Sequence, residues 1–391
     1  MPIRTCGKIV LFVLTPSTLS SMRKELRTEQ SPELTIACIL RNMHMHKNNQ
    51  LTIGSTKYVF LSVDEYAQLH PRLVKKLPIQ PTHFNFYIVK NCYSIGINAQ
   101  LLMPFKDGEQ NIIFNESFAF PQSDEERAIV IASNFQEQPS VQLSEAVPLY
   151  HLYANNFWHW CIECIPKLIA LENIGYRGPY IVFKSKFIIE TLNLFGIDRK
   201  RILFSDKNYI IKNMIVSPNY NYFYTFTHTD ILETLRTAIL DRITCLTGTK
   251  KIYIKRISGR VVNNADEVEN FLKKYDFEIM IPENYSVQEQ FSNMTNVDFS
   301  IMAHGANGLL TLLQKKYSNF IEFFSSAYVV YHTTGIIKLL SLDYLPLVEF
   351  RDTPPRIQGH HNGQFCNIDV PLKQLEIFLN NALCRKNHTC R

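Results

Sequence analysis

Apolar and polar positions follow one pattern up to about residue 156 and a different one after it. In the first part the apolar runs are short, rich in β-branched and aromatic residues, and bounded by turn residues. Residues 58–61, 84–89 and 112–114 are of this kind and are predicted to be strands. Residues 9–14 are predicted to form a first buried strand, since six apolar residues fall far short of the roughly 20 a membrane-spanning helix needs. The stretch 41–50, with His44 and His46, reads as a polar loop, and 124–137 as an exposed segment.

From 156 onward helical and strand periods alternate. A helix is predicted over 158–173, with Ile162, Ile165 and Ile169 on one side and a kink at Pro166. A strand at 180–184, a helix at 185–195 and strands at 202–204 and 209–216 follow, then a tyrosine-rich run at 219–226. A long helix at 230–246 places Leu232, Leu235 and Ile239 in register. After a strand at 251–255, Asn264 with Glu267 three residues on marks a helix start, and Ser286 with Glu289 marks another. Strands at 277–281, 297–303 and 320–324 complete the series. A loop at 304–308 and a helix beginning at 309–314 lie between the last two. An amphipathic stretch, 372–383, closes the chain. Strands alternating with helices mean βαβ units, so the predicted fold class is α/β with a parallel, doubly wound sheet behind a β-rich N-terminal segment.

A chain of 391 residues is long enough for two domains. Apolar residues make up 46% and charged residues 19%, as in an ordinary globular protein, and the net charge of +6 comes without a dense Lys/Arg block. Nucleic acid is therefore not an expected partner, whereas a few cations gathered around an anionic ligand are. The nine cysteines are scattered, and the one close pair, Cys161 and Cys164, has the spacing of neighbours on a helix face. No metal site is expected from it. Four Asn-x-Ser/Thr sequons, at Asn115, Asn284, Asn293 and Asn387, are what an asparagine-rich chain produces by chance. With no clear signal or transmembrane segment, a cytoplasmic location is the expectation, the alternative being the Golgi or ER lumen with the N-terminus as a cryptic signal, and self-association stays open.

Four constellations carry candidate chemistry. The loop His304-Gly305-Ala306-Asn307-Gly308, between a parallel strand and a helix, can let backbone approach an anion. Its spacing is not that of a dinucleotide fingerprint, so a nicotinamide or flavin cofactor is not expected. Arg256 and Arg260 follow the strand at 251–255 and should open on the same sheet edge, where guanidinium forks match phosphate oxygens. Glu322, in the strand after the His304 loop, is placed to accept ribose hydroxyls or to be an ordinary strand-end charge. His159 and Glu163 lie four apart on one helix face, a pairing suited to a general base. There is no Asp-x-Asp, the usual carboxylate motif for a divalent metal on a donor diphosphate, so arginines and a helix N-terminus would meet the phosphate charge.

Taken together and in order, these residues resemble the family 61 glycosyltransferases. Asn156-Phe-Trp-His159-Trp160 with Pro166-Lys167-Leu168 is similar to the family's first block. Ile252-Tyr-Ile-Lys-Arg256 with Arg260 and Asn264 is similar to the second, and Ser286–Gln290, His304-Gly305-Ala306 and Ile321-Glu322 to the third. His360-His361 and the stretch 369–379 echo the family's ending. Lys167 stands where the family usually has Arg, Ala265 where it commonly has Glu, and Asn307 where Gly often follows Ala.

The resemblance implies a GT-B fold, with two Rossmann-like domains facing a cleft, inverting chemistry and no obligatory metal or cofactor. It implies an acceptor-side domain over 1–220, a nucleotide-sugar domain over 225–345, and a segment 346–391 packing back on the first domain. The donor would be a nucleoside-diphosphate sugar, of the UDP-xylose or UDP-N-acetylglucosamine type, and the acceptor a glycan or protein hydroxyl. Arg256, Arg260, Asn264, the loop His304, Gly305, Ala306, Asn307 and Gly308, and Glu322 would bind the donor. His159 or Glu163 would be the base, with His159 preferred. The alternatives are a degenerate protein that binds a sugar nucleotide or glycan without turnover, or an unrelated α/β enzyme. Against the last, no Gly-x-Ser-x-Gly elbow is present.

Overall fold

Strands and helices alternate after residue 156 as the periodicity predicts, but the chain packs them into two units whose boundaries cross the linear order. The computed structural model describes residues 43–46, 50–53, 56–69, 71–77, 84–95, 101–104, 110–114, 140–151, 153–217, 229–330, 332–349 and 366–388. The expected strand at 9–14, the segment at 124–137, the run at 219–226 and His360-His361 lie outside them. Unit 1 takes 1–155, 167–184 and 198–221, and unit 2 takes 156–166, 185–197 and 222–391.

The strands of unit 1 are β1 (Met43–His46), β2 (Gln50–Ile53), β3 (Thr56–Leu61), β4 (Val74–Lys76), β5 (Tyr87–Ile95), β6 (Leu101–Pro104), β7 (Gln110–Phe114), β8 (Ser140–Pro148), β9 (Tyr180–Val182), β10 (Ile202–Phe204) and β11 (Asn208–Val216). One sheet runs β1-β2-β3-β7 and a larger one β10-β9-β8-β11-β5-β4, with β6 also on β5. The polar loop expected at 41–50 is corrected here. Met43-His-Met-His46 has a period of two and pairs antiparallel with β2, His44 opposite Thr52 and His46 opposite Gln50. In the larger sheet β8, β9, β10 and β11 are parallel, and β5 is antiparallel to β11.

Unit 1 also holds a closed ionic cluster. Arg201 makes two bonds to Glu172, Nη2 to Oε1 at 2.6 Å and Nη1 to Oε2 at 3.1 Å, and Tyr180 Oη donates to the same carboxylate at 2.6 Å. Burial works against the charge on both partners, yet the paired bonds prevail: the Arg201 pKa is raised and the Glu172 pKa lowered.

Unit 2 is built on five parallel strands, β12 (Lys250–Ile254), β13 (Glu278–Met280), β14 (Val297–Ala303), β15 (Asn319–Phe324) and β16 (Asp343–Val348), in the order β13-β12-β14-β15-β16. The chain therefore moves outward from β12 to β13, then returns to the other side of β12. Such a reversal opens a crevice at the carboxyl ends of the two flanking strands, here β12 and β14. Alternation along β15 sends Ile321 and Phe323 into the main core and Phe320, Glu322 and Phe324 to the opposite face. All six residues of β15 are buried, because helices cover a parallel sheet on both sides.

Ser286 caps the helix Val287–Met294 with a full capping box, as its spacing with Glu289 predicts. The predicted helix at 230–246 runs only over Thr229–Leu240. Beyond it Ile243, Thr244, Thr247 and Gly248 carry little helix propensity.

The last helix, Leu372–His388, corrects a second expectation. Its residues Leu375, Leu379 and Ala382 share the core of unit 2 with Tyr253, Val268, Leu272, Phe299, Ile301 and Phe323, so the helix belongs to this unit and not to the first. Residues 366–370 lead it there along 261–264: Asn263 N donates to Ile368 O and Ile368 N to Val261 O.

Candidate active site

The site grows out of the carboxyl edge of the unit 2 sheet. Three segments meet there: the loop after β12 with Arg256 and Arg260, the turn after β14 with His304 and Gly305, and the loop after β15 with Tyr328, His332 and Thr333. A fourth piece is the helical run at 157–165, which packs in the same unit. His159 and Glu163, expected on the first domain, thus stand in one unit with the His304 loop.

The arginines converge on one backbone group. Arg260 Nε donates to His304 O at 3.0 Å and Arg256 Nη1 to the same oxygen at 3.4 Å. Arg256 is further held by Gly259 O and Ser258 O, at 2.8 and 3.2 Å. Arg260 takes a left-handed backbone, φ 53°, and its guanidinium lies 5.3 Å over the Tyr328 ring. Burial first, then the neighbouring Arg260 charge, pulls the Arg256 pKa down to about 10, and burial likewise lowers that of Arg260. Both remain charged at neutral pH, crowded together in a partly desolvated place.

Gly305 makes that crowding feasible. Its backbone is extended, φ 160°, so no conformational need for glycine arises; the need is space. A Cβ there would overlap Arg256 Nη1 and come within 3.2 Å of Arg260 Nη2. The segment after it differs from expectation. Instead of an α-helix beginning near Leu309, a 3-10 helix spans Ala306–Leu313, and the Gly308 N–H is already bonded to Gly305 O at 2.9 Å. A shortened set of free N–H groups leaves the guanidiniums as the main source of positive charge. Asn307 sits in this 3-10 helix and is not among the left-handed residues, so asparagine carries no backbone strain there. Gly308 approaches Thr333 Cγ2, which a Cβ would meet at 3.0 Å.

His304 is almost wholly buried. Its Nδ1 bonds Glu322 Oε1 at 2.7 Å, and Glu322 Oε2 accepts from Thr333 Oγ1 at 2.9 Å and from Tyr344 Oη at 3.0 Å. The ribose role expected for Glu322 is corrected by this geometry. The carboxylate has no exposure, and both its oxygens are engaged in holding His304 and the loop after β15. Register explains the pairing, since Met302 lies opposite Glu322 and His304 follows on the same face two residues later. Among the described residues His304 Nε2 is buried without a hydrogen-bond partner.

Asn264 also has a different task from the one expected. Its side chain makes no cap bond; it donates from Nδ2 to Val370 O at 2.9 Å and accepts Val370 N at 3.0 Å. Two such bonds tie the C-terminal segment to the sheet, which removes Asn264 from the donor set. Ala265 is the first residue of the helix behind it.

Asn156 caps the turn Phe157–His159 by accepting Trp158 N at 3.0 Å. In place of one regular helix, a π turn spans Trp160–Cys164 and an α-helix runs Ile165–Asn173, with Pro166 in its first turn. Cys161 and Cys164 are buried within the π turn, and burial raises the Cys161 pKa well above the ordinary range. His159 Nδ1 bonds Glu163 Oε1 at 2.9 Å, with the imidazole 14% and the carboxylate 7% exposed, so this pair reaches solvent where the His304–Glu322 pair does not. Lys167 donates to Ser217 O within unit 1.

Sequence reasoning missed Tyr328 and His332. The His332 ring lies 5.0 Å from His304 and 6.2 Å from Trp158, centroid to centroid. Burial, and then the nearby His159, lowers its pKa to about 4, so it is neutral at physiological pH. No motif spacing marks it; only the strand–loop position after β15 points there. Among the described residues no three His, Cys, Asp or Glu side chains gather as metal ligands, and no helix is long and apolar enough to cross a membrane.

Residues 157–321 match the model of the glycosyltransferase 61 family. Over that stretch the chain is similar to the glycosyltransferase 61 family. That similarity supports a glycosyltransferase, with a sugar donor and an acceptor as its substrates. The match begins at Phe157 and includes His159, Glu163, Arg256, Arg260 and the His304–Gly308 turn. Glu322, Tyr328 and His332 lie beyond its end. No curated protein matches the chain at a significant level.

Proposed function

We propose that unit 2 of this glycosyltransferase binds a nucleoside-diphosphate sugar at the β12–β14 crevice and that the enzyme transfers the sugar with inversion, without a metal. The observation that carries this reading is the pair of guanidiniums held against His304 O at the topological reversal of the sheet. Two like charges crowded in a partly desolvated place repel each other, and a diphosphate relieves that cost while gaining bidentate bonds. The buried Nε2 of His304 fits a sugar nucleotide as well: with Nδ1 donating to Glu322 it is an acceptor, and a ligand hydroxyl donating to it would recover the roughly 1–3 kcal/mol that an unmade buried hydrogen bond costs.

In this reading the acceptor hydroxyl attacks the anomeric carbon. The new C–O bond forms as the bond from the anomeric carbon to the phosphate oxygen breaks, and its electron pair leaves with the diphosphate. Arg256 and Arg260 neutralise the departing charge. His159, oriented by Glu163, takes the hydroxyl proton. Glu322 orients His304 and does not touch the ribose. The reading includes the GT-B architecture, a uridine donor of the xylose or N-acetylglucosamine type, and a glycan or protein acceptor, as the family resemblance implies.

The test is a panel of UDP- and GDP-sugars read by release of nucleoside diphosphate with wild type and His159→Ala. Wild type turns over at least one donor, and His159→Ala loses about 10²- to 10⁴-fold in kcat while still binding the nucleotide. Full activity in His159→Ala removes the base assignment. A wild type that binds donor without turnover makes the chain a binding protein instead.

A further inference from the structure

The loop after β15 lies beside both ends of the proposed reaction. On one side are Arg256 and Arg260, gathered at His304 O; on the other is His159, held by Glu163. His332 stands next to a residue of each group. Its ring meets His304 edge to face at 5.0 Å and Trp158, the neighbour of His159, at 6.2 Å, and it is close enough to His159 for their charges to interact.

In a displacement at an anomeric carbon the sugar must lie between leaving phosphate and base. We propose that His332 contacts the transferred sugar, hydrogen-bonding one of its hydroxyl or amide groups, and so helps decide which sugar is accepted. This inference rests on the donor-site reading above.

Two further features fit such a role. A neutral imidazole offers one N–H donor and one acceptor nitrogen, which suits a hydroxyl and adds no charge for a phosphate. Its backbone is also fixed: the next residue, Thr333, donates to Glu322, and Gly308 packs against the Thr333 methyl group. Glu322 thus holds His304 through one oxygen and the His332 loop through the other, so phosphate seat and sugar seat are built on one buried carboxylate. The titratable groups beside His332 are His304, paired with Glu322, and His159, paired with Glu163.

The experiment compares affinities of the full chain for UDP and for UDP-sugars by titration calorimetry, in wild type, His332→Gln and His332→Phe. Phenylalanine keeps a ring against Trp158 and His304, and thermal unfolding of each variant reports its fold. If His332 holds the sugar, both variants bind UDP like wild type. The affinity gained by adding the preferred sugar falls about 3- to 10-fold, as for one neutral hydrogen bond, and the ranking of sugars changes. Equal changes for UDP and UDP-sugar, or none, overturn the inference and leave the donor site standing. A folded wild type that binds neither UDP nor any UDP-sugar overturns the donor-site reading itself, and this inference with it.

Discussion

Arg201 in unit 1 and Arg256 with Arg260 in unit 2 are the same side chain put to different uses. Arg201 has found its carboxylate: two bonds to Glu172, a tyrosine hydroxyl on the same group, and a guanidinium stacked 5.1 Å from the Tyr180 ring. Its pKa rises despite burial. Arg256 and Arg260 are aimed at a carbonyl oxygen and at each other, and their pKa values fall. A saturated ion pair stabilises a fold, whereas two cations crowded together favour an incoming anion. Net charge and residue counts cannot separate these cases. The partner at the end of the fork does.

The largest effect should come from removing both cations. Arg256→Ala with Arg260→Ala is expected to lower donor turnover by about 10³-fold or more, since each charged hydrogen-bonding group contributes roughly 1.5–3 kcal/mol. Relief of the repulsion offsets the loss of their bonds to the His304, Gly259 and Ser258 carbonyls, so the thermal midpoint should change little; a large drop would show that the arginines serve structure. Arg201→Met should do the reverse. It leaves a partly buried Glu172 without its partner and costs about 1–3 kcal/mol of stability in denaturant unfolding, with donor affinity unchanged. Loss of donor binding in that variant would erase the distinction between the two regions. The smallest effect belongs to Gly305→Ala. The methyl group displaces the flexible end of Arg256 and leaves the backbone in place, so donor affinity falls about 10-fold while the thermal midpoint scarcely moves. An unchanged affinity would mean that Arg256 has another position open to it.

Much of unit 2 was legible because its local signals agree with each other. The strand 297–303, the capping box at Ser286 and the convergence of Arg256 and Arg260 with the His304 turn follow from periodicity and from the geometry of parallel sheets. What stayed hidden depends on contacts between segments distant in sequence. Nothing near Glu322 says that Thr333 and Tyr344 will take one of its oxygens, and nothing near Asn264 says that Val370 will claim its amide. His332 had no motif to mark it. The assignment of 156–166 and 185–197 to unit 2 likewise arises from packing, and a reader moving along the chain gives both to the first domain. In the first 150 residues the pattern failed locally: Met43-His-Met-His46 was read for its histidines and not for its period of two.

The most direct measurement is a calorimetric titration of UDP into the full chain as wild type, Arg256→Ala and Arg201→Met, side by side. A donor site at the β12–β14 edge predicts measurable binding in wild type, an equal affinity in Arg201→Met, and a loss of about 10- to 100-fold in Arg256→Ala. Equal affinity in wild type and Arg256→Ala would contradict it, as would no binding of UDP or any UDP- or GDP-sugar to the folded wild type.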